Sequence, residues 1–154
     1  MSKHLLIVSH SQSGNTKSML DAVYAGATDE EVTGVEVRTL QALDAGVDAV
    51  QWAEGIILGT PENFGYMSGA LKYFFDEVYY PCLEKTRGLP YALFVKAGND
   101  GSGAVASVQR IVAGLAWREA LPPLVVQGEL QANDLEICRE FGMTLAAGLE
   151  MGIF

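Results

Sequence analysis

The stretch LLIVSHSQSGNTKS, residues Leu5–Ser18, passes from a fully apolar run directly into small polar residues. Leu5–Val8 has the composition of a buried strand, and apolar residues return at helical spacing in Thr16–Ala27. A strand that reaches a helix through Ser, Gly, Asn and Thr suits either a solvated turn or a cradle for a phosphate group. The stretch alone does not separate these two interpretations, so the rest of the chain has to decide between them.

Strand-like and helix-like segments alternate along the rest of the chain. Ser68 is the expected N-cap of its helix, and Asn133 with Glu136 is typical of a capping box. The alternation predicts an α/β fold with a parallel sheet and helices on both faces. Further strands are predicted at Val35–Leu40, Gly55–Gly59, Tyr91–Ala97 and Pro123–Gly128, and further helices at Ala42–Ala53, Ser68–Tyr79, Gly103–Ala116 and from Asn133 onward.

The order of the strands follows from where the chain is apolar. The first, third and fourth strands contain apolar runs, which are typical of strands inside a parallel sheet. The second strand, VEVRTL at Val35–Leu40, alternates between apolar and polar residues and is expected at an edge. This pattern favours a doubly wound sheet of five parallel strands in the order 2-1-3-4-5. We expect residues 1–154 to form a single domain, with Tyr80–Pro90 as its longest loop.

Composition argues against several functional classes. The net charge of the 154 residues is −9, which disfavours nucleic acid and anionic membranes as partners because no basic patch is present. Cys82 and Cys138 are isolated from each other and from His4 and His10, so neither a disulfide framework nor a metal site is predicted. No apolar stretch approaches the ~20 residues of a membrane span. Since no signal peptide is recognisable, a cytoplasmic location is expected.

Three loops rich in Gly, Asn and Ser follow the first, third and fourth strands: SHSQSGNT, GTPENFGYMSG and AGNDGSG. The carboxyl ends of parallel strands share one edge of a sheet, and the switch point of this strand order lies between strands one and three. We therefore expect the loops to meet at one ligand site. The first loop also precedes a helix N-terminus, where Ser11, Ser13 and Thr16 offer hydroxyl donors and Gly14 permits close approach of an anion. It contains no arginine, so neutral dipoles would hold a phosphate there.

Other nucleotide and catalytic motifs do not fit. A phosphate loop of the G-x-x-x-x-G-K-S type would need glycine where Ser11 and Thr16 stand. The sequence has no G-x-S-x-G nucleophile elbow and no aspartate pair after its first strand. The pattern therefore identifies no catalytic side chain.

The loops resemble those of a known family. SQSGNT, Ser11–Thr16, closely resembles the T-x-T-G-x-T phosphate loop of flavodoxin-like FMN proteins, with serine in place of threonine twice. Gly59–Asp76 resembles the second flavin loop of the NAD(P)H-dependent FMN reductase and quinone reductase branch, which carries T-P-x-x-F-G-x-M-S-G before the third helix. Ala97–Ala104 is similar to the third loop of that branch. The resemblance spans the whole chain and implies a flavodoxin-like fold with non-covalently bound FMN.

The resemblance also implies roles for individual residues in three groups. The first group would hold the 5′-phosphate, the second would run along the isoalloxazine ring, and the third would meet its pyrimidine edge. In that order the groups are Ser11, Gln12, Ser13, Gly14, Asn15 and Thr16; Pro61, Glu62, Asn63, Phe64, Gly65, Tyr66 and Met67; and Gly98, Asn99, Asp100 and Gly101.

Each group retains an ordinary structural alternative. Phe64 and Tyr66 are also compatible with loop aromatics that pack on the sheet, and Met67 with a core residue that fills a gap. Asp100 is equally suited to capping the helix that follows it. His10 fits either a flavin contact or a solvated position.

For function, the resemblance implies transfer of a hydride from NADPH or NADH through FMN to a flavin, quinone or similar acceptor. The third loop has no tyrosine to cover the flavin, and an open face for substrates favours this reductase hypothesis. The alternative is a short-chain flavodoxin, a one-electron carrier for a basic partner, which the charge of −9 favours. A non-catalytic flavin-binding scaffold is a third hypothesis. Reductases of this branch commonly form homodimers or homotetramers, with YYPC, Tyr79–Cys82, as a candidate interface here.

Overall fold

The computed structural model describes residues 2–11 and 14–154. Strands and helices alternate, as the sequence predicts. The strands are β1 Lys3–Ser9, β2 Val35–Gln41, β3 Gly55–Asn63, β4 Tyr66–Met67, β5 Pro90–Ala97, β6 Arg118–Glu119 and β7 Leu124–Gln127. The helices are α1 Gly14–Ala27, α2 Val47–Trp52, α3 Gly69–Cys82, α4 Ser102–Gly114 and α5 Ala132–Glu150.

The sheet has the predicted topology. Its strands run in the order β2-β1-β3-β5, and both β7 and the short β6 pair with β5, all in parallel. The five predicted strands therefore stand in the order 2-1-3-4-5, and β2 is the edge strand that its alternation indicates. Two short additions were not predicted, namely β6 and the antiparallel β4, which pairs with the end of β3.

Alternate side chains of the interior strands enter two cores. Leu6 and Val8 of β1 pack towards α2, α3 and α4, whereas Leu5 and Ile7 pack towards α1 and α5. All four are fully buried, because helices cover both faces of the parallel sheet. The two layers of helices hold β1, β3 and β5 rigidly, and these are the strands whose ends carry the candidate site.

Helices α1 and α5 make an unusually close contact. A Cβ at Gly26 would overlap the carbonyl oxygen of Arg139, and a Cβ at Gly142 would overlap that of Val23. The Arg139 guanidinium also lies 2.7 Å from the Asp29 carboxylate. The two glycines allow the helix backbones to touch, so α5 supports α1 along its length.

Helix α3 corrects one expectation. The helix continues through Cys82, whereas the sequence predicts its end at Tyr79 and a loop at Tyr80–Pro90. Pro81 lies in the last turn of α3, where it has no N–H to donate to the carbonyl of Glu77 four residues earlier. Cys82 lies four residues after Val78 on the buried face and is fully buried, so packing overrides the local preference of proline.

The bounds of the other helices also differ from prediction. Helix α1 begins at Gly14 rather than Thr16, and α4 spans Ser102–Gly114 rather than Gly103–Ala116. Helix α2 begins at Val47, because the Ala42 N–H donates to the carbonyl of Ser9 and the following residues form turns. Helix α5 begins at Ala132, and its capping box pairs Gln131 with Asp134, so the predicted Asn133–Glu136 pair is wrong. Within residues 2–11 and 14–154, no helix is long and apolar enough to cross a membrane.

Candidate functional site

The loops after β1 and β3 lie side by side at one edge of the sheet. Ser9 at the end of β1 is in register with Gln41 of β2 and Gly59 of β3. The next residue, His10, donates its backbone N–H to the carbonyl of Gly59 over 3.1 Å. The topological switch point therefore lies between these two loops, where ligands of such sheets bind.

Buried polar groups without partners surround the start of α1. The hydroxyls of Ser9 and Thr16 and the Nδ1 atom of His10 are buried, and none has a hydrogen-bond partner within the part of the chain that the structure describes. Ser9 and Thr16 are each only 1% exposed. Because an unsatisfied buried polar group is costly, these atoms indicate a place where an external group completes the hydrogen bonds.

The electrostatics at this helix start suit an anion. The first turn of α1 contains no acidic residue, and the dipole at a helix N-terminus favours negative charge. Gly14 and Asn15 are exposed there, and a Cβ at Gly14 would meet open space. Ser11 is half-buried, whereas the predicted phosphate ligands Gln12 and Ser13 lie outside the described residues.

The N-terminus of α3 is occupied by a protein group. Ser68 caps this helix, as predicted, by accepting a hydrogen bond from the Leu71 N–H at 3.2 Å. The cap satisfies one of the N–H groups that would otherwise attract an anion.

The N-terminus of α4 has two carboxylates. Asp100 accepts from the Ser102 N–H at 2.9 Å and from its hydroxyl at 2.8 Å, and these hydrogen bonds lower the pKa of Asp100. Glu62 accepts from the Ala104 N–H at 3.1 Å. At the starts of both α3 and α4, side chains of the protein therefore occupy N–H groups that an anion would otherwise bind.

The loop after β3 is a β-hairpin, which the sequence analysis did not predict. Glu62 pairs with Met67 and Asn63 with Tyr66, so Phe64 and Gly65 are the two turn residues. Their φ angles are 54° and 69°, which fit the type I′ turn favoured in two-residue hairpins. The sequence signal for this turn was Gly65 alone, since the turn lacks the usual Asn-Gly or Asp-Gly pair.

The turn places an aromatic ring in solvent. Phe64 has a positive φ, which is costly for a large side chain, and its ring is fully exposed. Tyr66 is 40% exposed, whereas Met67 is 2% exposed and packs in the core beneath the hairpin. For Met67, the structure supports the core alternative. For the two aromatic residues it excludes burial against the sheet as their main environment.

The hairpin is attached directly to α4. Besides the Glu62–Ala104 bond, the Met67 N–H donates to the Ser107 hydroxyl at 3.1 Å. A Cβ at Gly103 would overlap the carbonyl oxygen of Gly65, so the two backbones are in contact. The second and third predicted loops are therefore parts of one rigid assembly. Ser107 was missed by sequence analysis because its partner lies 40 residues away.

The third loop presents mainly backbone. Gly98, Asn99 and Asp100 are exposed, and Gly101 is buried with a φ of 76° at the N-cap of α4. Asp100 adopts the capping role that the sequence left open. No aromatic side chain stands in this loop, so the hairpin is the source of exposed rings at the edge.

Pro61, Glu62 and Asn63 are half-buried and continue β3 towards this edge. Pro61 remains in register with Lys96 of β5, so the second and third loops leave neighbouring strands. One edge of the sheet thus carries the described residues of all three predicted groups, namely those for the phosphate, for the isoalloxazine ring and for its pyrimidine edge. The groups follow one another in the order of the strands that carry them, β1, β3 and β5.

The described residues show neither a metal-binding cluster nor an exposed cysteine. In residues 2–11 and 14–154, no group of three or more His, Cys, Asp and Glu side chains is placed to hold a metal ion. Both cysteines are buried, and burial raises the pKa of Cys82 and raises that of Cys138 to about 11. A buried protonated thiol is a poor nucleophile. The arrangement is suited to binding a phosphorylated planar molecule, with backbone dipoles for its phosphate and exposed rings beside it.

Comparison with known proteins agrees with this geometry. The family described as NADPH-dependent FMN reductase matches residues 1–127, which include all three loops. A flavodoxin from Aquifex aeolicus is 34% identical over 99 residues, 64% of this chain and 52% of that protein. An NADPH azoreductase from Bacillus sp. is 34% identical over 102 residues, 65% of this chain and 55% of that protein. The chain thus spans about half the length of these curated relatives.

A solved flavodoxin structure from the domain Archaea has the same fold. It superposes with a TM-score of 0.81 at 23% identity, covering 96% of this chain and 99% of that one. The fold is therefore flavodoxin-like, with the helices and parallel strands arranged as the sequence predicts.

Proposed function

Because the chain belongs to the NADPH-dependent FMN reductase family, we propose that it binds FMN and transfers a hydride from NADPH or NADH to a flavin, quinone or similar small acceptor. The family and the relatives support the general function of an FMN-binding oxidoreductase or electron carrier. The single observation that carries the proposal is the set of buried, unpartnered polar atoms of Ser9, His10 and Thr16 at the start of α1.

The residues of the edge fit FMN chemically. Ser11, Gln12, Ser13, Gly14, Asn15 and Thr16 would hold the phosphate with backbone N–H groups and hydroxyls. The hairpin from Pro61 to Met67 and the loop from Gly98 to Gly101 would border the ring system. When bound, FMN would supply the hydride chemistry. The work of the protein is to bind, orient and leave one face accessible, so a nucleophile or metal ion is not required.

The accessible face distinguishes the reductase from the carrier. The third loop has no aromatic side chain, and the exposed aromatic side chain at the turn is Phe64. A hydride donor and a flat acceptor must each stack on the ring in turn, and an uncovered face allows this. The same hairpin offers an aromatic surface beside the stack.

The proposal is tested by reconstitution and anaerobic reduction. The purified protein is titrated with FMN, and NADPH or NADH is then added under nitrogen while the visible flavin absorption is followed. We expect rapid bleaching by at least one nucleotide and turnover when a quinone or free flavin is added. Binding of FMN without bleaching at a catalytic rate by either nucleotide would contradict the reductase, and no FMN binding would contradict both functions.

A one-electron carrier is the second candidate. The net charge of −9 and the similarity to a flavodoxin favour it. Anaerobic photoreduction distinguishes the two, because a carrier is expected to accumulate a long-lived neutral semiquinone. A reductase is expected to pass to the fully reduced flavin with little of this intermediate.

Self-association is part of the proposal. We propose a homodimer or homotetramer, with the YYPC segment as a candidate contact because Tyr80 is 80% exposed. Tyr79 stacks edge-on against Tyr80 with ring centroids 5.2 Å apart, so the two rings form one apolar surface. Light scattering of the wild type and of Tyr80→Ser measures the mass, and a monomeric wild type would contradict this part. A cytoplasmic location likewise remains a proposal.

A further inference from the structure

Glu62 satisfies an N–H group in the first turn of α4, that of Ala104, in addition to the Ser102 N–H that Asp100 caps. The N-cap residue of α4 is Gly101, which has no side chain to accept a hydrogen bond. Glu62 is half-buried and accepts from the Ala104 N–H at 3.1 Å across 42 residues of sequence. An anionic group at this position also interacts favourably with the helix dipole.

Both strands of the hairpin converge on Ala104. Its N–H donates to Glu62, and its carbonyl accepts a hydrogen bond from the Ser107 hydroxyl at 2.8 Å. That hydroxyl in turn accepts from the Met67 N–H at 3.1 Å. Since Glu62 and Met67 face each other in the hairpin, the two sides of the ladder are fixed to one helical residue.

We propose that Glu62 is a positioning residue whose carboxylate, through Ala104, sets where the Phe64–Gly65 turn stands over the ligand edge. This inference rests on the proposed function, in which that turn borders the flavin. It differs from a role as a direct ring contact, because the carboxylate is already engaged by the helix. The property that matters is the reach of the side chain to the Ala104 N–H.

Two substitutions distinguish the effect of the length of the Glu62 side chain from the effect of its charge. Glu62→Gln keeps the length and an acceptor oxygen but removes the charge, whereas Glu62→Asp keeps the charge but shortens the side chain. A positioning role predicts that Glu62→Gln resembles the wild type in amide exchange and kinetics, and that Glu62→Asp resembles Glu62→Ala. A direct electrostatic role predicts the opposite pattern. Glu84→Ala, at an exposed position between α3 and β5, is the matched control.

The first measurement uses the FMN-free protein and needs no activity. Hydrogen exchange of the Ala104 and Met67 amides is followed by NMR in each variant. We expect exchange at least about tenfold faster in Glu62→Ala and Glu62→Asp, because their side chains no longer reach the Ala104 N–H and its hydrogen bond is lost. Glu62→Gln should lie within about threefold of the wild type, as should Glu84→Ala. Unchanged exchange in Glu62→Ala, or equal losses in Gln and Ala, would overturn the proposal.

The second measurement uses the protein loaded with FMN. The dissociation constant for FMN should stay within about threefold in Glu84→Ala and rise in Glu62→Asp and Glu62→Ala, because the displaced hairpin borders the flavin in the proposed function. The midpoint potential of the flavin and the KM for the nucleotide should shift together in Glu62→Asp and Glu62→Ala. Both quantities should stay near their wild-type values in Glu62→Gln. A shift confined to Gln would overturn the positioning role. A wild-type protein that binds no FMN would refute the proposed function, while the exchange data would still decide whether Glu62 fixes the hairpin.

Discussion

The backbone of Gly103 lies directly against the carbonyl oxygen of Gly65, so closely that a Cβ at Gly103 would overlap it. Gly103 is in the first turn of α4, and Gly65 is in the turn of the β3–β4 hairpin. The contact turns two loops that follow different strands into a single rigid wall of the site. A glycine is required at position 103 because of its neighbour, since its own φ is not in the left-handed region.

Gly103→Ala should displace the hairpin. The added methyl group would improve helix propensity by roughly 1 kcal/mol, but overpacking typically costs about 1–3 kcal/mol, so we expect a net loss of stability. Urea unfolding measures the change, and the KM for the nucleotide should rise with it. Gly46→Ala is the control, because a Cβ at Gly46 meets nothing within 4 Å. Equal behaviour of the two variants would mean that the hairpin yields without cost.

Thr16→Val should act with opposite signs on binding and on stability. Removing a charge-assisted hydrogen bond to a phosphate should weaken FMN binding by about 1.5–3 kcal/mol. The FMN-free protein should be as stable as wild type or slightly more stable, since a buried hydroxyl with no partner among the described residues is replaced by a methyl group.

Flavin fluorescence quenching measures the affinity for FMN, and urea unfolding measures the stability of the FMN-free protein. Thr39→Val, at an exposed position of the edge strand β2, is the matched control and should change neither quantity. An unchanged affinity in Thr16→Val would contradict the placement of the phosphate at α1.

Phe64→Gly should have two effects: it relieves the backbone strain of a positive φ, and it removes an exposed aromatic ring. Glycine adopts positive φ readily, so the substitution should leave the stability unchanged or raise it by up to about 1 kcal/mol. The KM for a flat acceptor should rise, because the exposed ring is lost. Phe64→Leu keeps the strain and an apolar side chain, so it separates the two effects. If steady-state kinetics with a quinone do not change in either variant, the ring has no part in acceptor binding.

Stability should fall at high pH through Cys138. Burial, followed by the nearby Asp134 charge, raises the pKa of this thiol from 9.0 to about 11. The folded protein therefore keeps the proton while the unfolded chain loses it, so the unfolding free energy contributed by this group is fully present below pH 9 and decreases as pH rises towards 11. Urea titrations from pH 8 to 11 measure this slope, and Cys138→Ala should reduce it. An identical slope in that variant would assign the effect to other groups.

The parts of the fold that depend on periodicity could be predicted from the sequence. Fully apolar runs identify the interior strands, and the alternation of Val35–Leu40 identifies the edge strand, because burial on one or both faces leaves a local pattern. Ser68 as an N-cap is equally local, since its hydroxyl bonds three residues ahead. The loops of the site edge follow from the strand order alone.

The details that depend on distant partners could not be predicted. In the sequence, Glu62 has the character of a loop residue and Ser107 that of an ordinary helix residue. Their roles depend on hydrogen bonds to the Ala104 and Met67 N–H groups, which are far away in the sequence. At the end of α3, the local helix-breaking preference of Pro81 opposes the free energy gained by burying Cys82. The helix continues through Cys82, so the burial prevails. In each case the decisive energy comes from a contact that no short window of sequence contains.

The close contact of α1 with α5 couples the two ends of the chain. A ligand that binds only when α1 is in place stabilises, by mass action, every element on which α1 depends, and Gly26 and Gly142 make α5 one of them. Binding of a phosphate at the proposed loop before α1 should thus make the C-terminal helix more resistant to local unfolding. Protease cleavage within α5 would then report on occupancy of the proposed FMN site.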